Sequence, residues 1–146
     1  MTVCGGAWRR ALVLAALALP TPALAAQLDI ELTGIENDYG MVRVAVCTPA
    51  TFTTKHCPFN GAAPAKGGSV VVSVPDIPPG RYAVQAYHDE DGNGRLRKGL
   101  FGLPAEAIGF SRDARVRLGT PSFDEAAIDV AEPLTATRLR LRHLGP

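Results

Sequence analysis

Asp89, Asp91 and Asn93 stand at alternate positions in His88-Asp89-Glu90-Asp91-Gly92-Asn93-Gly94-Arg95-Leu96, the stretch of this 146-residue chain best furnished for chemistry. A hard divalent cation such as calcium takes about six to eight oxygen ligands. Two carboxylates and an amide on a glycine-bent loop supply three of them, and the Arg95 backbone carbonyl can add a fourth. The spacing matches the opening of an EF-hand loop, with Gly94 at the sharp bend. Leu100, however, stands where that loop needs a bidentate glutamate, and no helical pattern leads into it. An EF-hand is therefore not expected. Two readings stay open. One is a plain turn, because Asp-Gly and Asn-Gly are strong turn formers. The other is a weak extracellular calcium site, completed by water or by a distant acid such as Glu106.

Other chemistries find less support. His56, His88 and His143 are the histidines, and none has a serine or cysteine partner at a recognisable local spacing. There is no G-x-S-x-G elbow, and Gly92-x-Gly94 is an acidic turn rather than a phosphate loop, since no helix follows. Asp89, Glu90 and Asp91 lie too close along one loop to flank a sugar from two sides. The expectation is a non-enzymatic protein with no catalytic residues. The rival is a small hydrolase with a site around His88, Asp89 and Glu106.

The elements that must position these groups begin with a leader. Arg9 and Arg10 precede an apolar run from Ala11 to Leu19 and then Pro20-Thr21-Pro22-Ala23-Leu24-Ala25. A charged start, a short apolar core and an A-x-A site make a secretory signal peptide, expected over residues 1–25. The run falls short of the roughly 20 residues a membrane span needs. Residues 26–146 then form one domain outside the cytoplasm, periplasmic or secreted. Removing Arg9 and Arg10 takes the charge from 15 − 14 = +1 to 13 − 14 = −1, which offers no general attraction to nucleic acid or to an anionic membrane. Cys4 also leaves, so Cys47 and Cys57 are an even pair in an oxidising compartment, and a disulfide between them is expected. A reactive pair or a metal site with His56 is the alternative, but the spacing fits no zinc pattern.

Apolar and polar residues alternate over Leu28–Leu32, Val42–Val46, Ser69–Val74, Arg81–His88, Ala114–Leu118, Ala126–Val130 and Thr137–His143. That period predicts seven strands, the first two as a hairpin across Asn37-Asp38-Tyr39-Gly40. Thr48 to Gly68 reads as a long loop with Phe52 and Phe59 folded over the sheet edge. A short helical turn is expected at Pro104–Ala107. Seven strands without an amphipathic helix predict an all-β, antiparallel β-sandwich, immunoglobulin-like in its layering. Arg138, Arg140 and Arg142 would line the last strand beside Arg115 and Arg117. Such a stripe is either a solvated face that discourages edge pairing or a contact for an anionic envelope component.

Several of these residues also form a pattern. Pro79-Gly80-x-Tyr82, His88-Asp89-x-Asp91-x-Asn93-Gly94, Gly102-Leu103-Pro104, Glu106, Gly109-Phe110-Ser111, Pro121-Ser122-Phe123 and Ala126-Ala127 resemble domain-of-unknown-function family 2141, a group of bacterial exported proteins. The resemblance covers nearly all of the exported part. It implies a small exported sandwich of the transthyretin or carboxypeptidase-regulatory kind, without an established activity. Arg97 stands where members often carry another acid, and Lys98 follows it. The expected role is an envelope binding or structural module whose contact surface is the loop side, Asp89 to Leu96 with Gly102 to Ser111.

Overall fold

The computed structural model describes residues 24–145. The leader expected over residues 1–25 therefore lies outside the described residues except for Leu24 and Ala25. Eight strands follow among the described residues: β1 (Ala26–Ile35), β2 (Met41–Cys47), β3 (Phe59–Pro64), β4 (Gly68–Ile77), β5 (Gly80–Asp89), β6 (Ile108–Phe110), β7 (Ala127–Val130) and β8 (Leu134–Arg140). They make two sheets, one ordered β4-β1-β8 and one ordered β3-β2-β5-β6, with β7 also paired to β5. No helix among the described residues is long and apolar enough to cross a membrane.

The two layers face each other because the alternation in each strand gives it one apolar side. Leu28, Ile30 and Leu32 of β1 meet Val42, Val44 and Val46 of β2 and Tyr82, Val84 and Ala86 of β5 in one core, which Leu139 and Leu141 complete. Full burial of each large aliphatic chain contributes about 2 kcal/mol. At one flank the layers approach very closely. A Cβ on Gly61 of β3 would stand 2.8 Å from Val72 of β4, so only glycine fits there.

The all-β sandwich is what the alternation predicts, and several details differ from it. The first two strands do not form a hairpin: β1 belongs to one sheet and β2 to the other, so residues 36–40 cross between layers. The expected long loop contains β3, whose Phe-Asn-Gly-Ala-Ala-Pro sequence has weak strand propensity and is held by its register on β2. Ala114–Leu118 forms no strand, and Leu118 is fully exposed. The edge it would have joined is taken by β6 and β7, which pair with the second and first halves of β5. One pairing is parallel, β1 with β8, and the others are antiparallel. No helical turn forms at Pro104–Ala107. A 3-10 turn sits at Leu100–Gly102, and one α-helical turn, α1 (Phe123–Ala126), opens with a capping box between Ser122 and Glu125.

The gap between β6 and β7 is bridged by the buried Ser111 hydroxyl, which accepts the Val84 N–H at 2.9 Å and donates to the Ala126 carbonyl. Cys47 and Cys57 are joined, with their Cα atoms 4.6 Å apart. The stapled loop folds over the outer face of the five-stranded sheet. Phe52 there meets Phe110 and Phe123 edge to face at 5.7 and 6.0 Å, while Phe59 meets Tyr82 at 5.9 Å.

Candidate metal centre

Tyr87 of β5 lies opposite Ile108 of β6, and the His88 N–H donates to the Ala107 carbonyl at 2.9 Å. One step further, that register sets Asp89 beside Glu106, although 16 positions separate them in the chain. Asp91, two residues past the strand end, turns back to the same spot. Carboxylate oxygens of Asp89, Asp91 and Glu106 lie within 4.8 Å of one another. Asp89 and Glu106 are fully buried and Asp91 is exposed.

Each acid is held differently. Asp89 is the hub of its loop: one oxygen accepts the Asn93 N–H at 3.1 Å, and the other accepts the Gly94 N–H at 2.9 Å. That second oxygen also takes Arg43 Nε at 2.6 Å. Burial, the strongest single influence, pushes the Asp89 pKa up, but the Arg43 and Gly94 hydrogen bonds and the Arg43 charge together hold it below the usual carboxylate range. Asp91 accepts from Asn93, its N–H at 3.2 Å and its Nδ2 at 2.8 Å. Glu106 spends Oε2 on the Arg97 N–H at 3.0 Å, and its buried Oε1 has no partner among the described residues. An orphaned, buried carboxylate oxygen costs about 1–3 kcal/mol or more.

The surroundings register the excess negative charge. Three carboxylates face one guanidinium, and the half-buried Tyr87 hydroxyl beside them is pushed above its ordinary pKa, first by burial and then by Asp89, with Glu106 and Asp91 adding and Arg43 opposing. Gly40 closes the other side. Its φ is +67, and a Cβ there would lie 1.9 Å from the Asp89 carbonyl, so the crossing chain can reach the loop only at glycine.

The structure thus joins two of the sequence-predicted ligands, Asp89 and Asp91, to Glu106, the distant acid. Asn93 Oδ1 accepts the Arg95 N–H at 2.7 Å within the loop. Arg43 and Gly40 were not among the sequence-level candidates. Arg43 is the outward residue between Val42 and Val44, and only the β2–β5 register brings it beside Asp89.

His88 does not join the acids. Neighbours on a strand point to opposite faces, so His88 turns into the sandwich while Asp89 turns out. Its Nε2 donates to the Tyr39 carbonyl at 2.7 Å rather than to the acidic loop, and Nδ1 stays 4.0 Å from Glu90. Glu90 is meanwhile bonded to Asn37 at 2.8 Å. Of the arginine stripe, Arg138 pairs with Glu31 at 2.6 Å and Arg142 lies 3.7 Å from Asp113.

No curated protein and no solved structure matches the chain. One family model does, over residues 30–138, a span that runs from within β1 to within β8 and holds all three clustered acids. The chain belongs to the family described as uncharacterized protein conserved in bacteria, DUF2141.

Proposed function

We propose that this protein is an exported, non-enzymatic β-sandwich module of the bacterial envelope whose Asp89–Asp91–Glu106 cluster holds a divalent cation of the calcium type. The observation that carries this reading is the buried Glu106 carboxylate, which offers an oxygen within 4.8 Å of those of Asp89 and Asp91 and whose Oε1 has no hydrogen-bond partner among the described residues. A cation supplies the missing partner and cancels charge that Arg43 alone does not balance. Three carboxylates leave room for backbone carbonyls and water in a sphere of about six to eight oxygens, and extracellular modules of this kind bind at about 10⁻⁴–10⁻³ M. The leader-like N-terminal sequence and the disulfide support export. The non-enzymatic reading rests on a histidine turned away from the acids and on cysteines tied to each other.

Thermal melting with calcium tests the site. At tenfold excess over its dissociation constant the ion stabilises the fold by about 1.4 kcal/mol, which raises Tm by several degrees. Glu106→Gln removes the orphaned charge, so the variant melts higher than wild type without calcium and no longer responds to it. A wild type unmoved by several millimolar calcium, or a variant that responds equally, contradicts the site.

A further inference from the structure

Past the acidic loop the chain makes an outward excursion, Arg95 to Leu103, whose backbone supports the cluster through the Arg97 N–H while its side chains are exposed. Its base is a narrow ladder. The Ala105 N–H donates to the Arg97 carbonyl at 2.8 Å and the Gly99 N–H to the Leu103 carbonyl at 2.7 Å, with Lys98 bridged to Pro104. At its crest Leu100 is 84 % and Phe101 98 % exposed, with Leu103 at 45 %. Phe101 also sits at φ 61 and ψ 19, a left-handed conformation that disfavours a bulky side chain. Strain that presents an aromatic ring to water points to a use for the ring.

The flank of the crest is cationic. Arg95, Arg97 and Lys98 are exposed and, like Lys55, Lys66, Arg112, Arg115, Arg117 and Arg140, make no ion pair among the described residues. We propose that this crest docks the protein onto an anionic phospholipid bilayer, with Leu100 and Phe101 in the headgroup–acyl boundary and Arg95, Arg97 and Lys98 on lipid phosphates. Apolar side chains beside free cations are what such a surface attracts, by apolar burial and by charge together. Three apolar residues on a narrow ridge are far short of the roughly 800 Å² per partner of a stable protein interface. A bilayer needs no matching pocket, since it deforms around the ridge. The contact goes beyond the cation site and uses none of the clustered oxygens.

Co-sedimentation with vesicles tests it. Wild type is expected to sediment with mixed phosphatidylglycerol–phosphatidylcholine vesicles and to stay in solution with pure phosphatidylcholine. Replacing Arg95, Arg97 and Lys98 together by glutamine lowers the partition about a hundredfold, at roughly fivefold per cation. Phe101→Asp lowers it at least about tenfold. Phe101→Gly suits the local backbone, so it keeps the wild-type Tm while losing vesicle binding. Glu106→Gln binds vesicles as wild type does, and Phe101→Asp keeps the calcium response, so the two proposals fail separately. Wild type that ignores anionic vesicles, equal binding to neutral ones, or Phe101→Asp that sediments like wild type overturns the docking. Capture by an envelope protein without vesicle affinity overturns it as well.

Discussion

The β2–β5 pair ends in two very different ways. At one end Cys47, opposite Ala83, is tied covalently to Cys57, and the loop between them packs Phe52 onto Phe110 and Phe123. At the other, Met41 lies opposite Asp89, and the loop beyond it gathers three carboxylates around one guanidinium and leaves a buried oxygen orphaned. The first end is complete within the chain. The second is balanced only in part, by an arginine one-third exposed to water. A small domain that already has a core and a staple can carry such an incomplete end, and under the cation proposal an ion from solution completes it.

The largest effect is expected at the covalent end. Cys47→Ala with Cys57→Ala releases a ten-residue loop and costs about 3 kcal/mol in denaturant unfolding, without changing calcium affinity. Equal losses at both ends would erase the contrast.

Arg43→Met is the sharper probe of the acidic end. It leaves Asp89 buried without its cation and costs about 2–3 kcal/mol, below the loss of a fully buried pair because Arg43 is 33 % exposed. Calorimetry should nevertheless show tighter calcium binding, since the competing charge is gone and an Asp89 oxygen is freed. Lower stability with weaker binding would mean that Arg43 belongs to the site. The pair also sets an acid limit. Asp89 titrates below its unfolded value, so its contribution is present above about pH 4 and is lost as pH falls through the lowered native pKa. Arg43→Met should flatten that part of the stability curve.

The smallest effect is spectroscopic. Tyr87 is held above its ordinary pKa partly by the cluster's negative charge, so calcium should lower the pH at which its phenolate absorbance rises. A titration unchanged by calcium would place the ion away from Tyr87.

Much of the fold was legible because alternation marks any strand with one buried face, as in Leu28-Asp29-Ile30-Glu31-Leu32. The misses have particular causes. Ala114–Leu118 alternates equally well but finds no free edge, since β6 and β7 share β5. Gly61 and Pro64 hide β3, whose strand character comes from its neighbours. The Ser122–Glu125 capping box that starts α1 is legible as Ser-x-x-Glu, but the alternation directly after it reads as strand. In the site, Asp89 and Asp91 stand out by local spacing, and Glu106 was readable only as a distant acid. Arg43 and Gly40 depend on long-range register and on a crossing between layers, which no local pattern encodes.

The most direct measurement is a high-resolution crystal structure grown with calcium. The account predicts an ion about 2.3–2.6 Å from Glu106 Oε1 and bound also by Asp89 and Asp91. Glu106 Oε1 hydrogen-bonded to protein or water, with no ion between the three carboxylates, would contradict it.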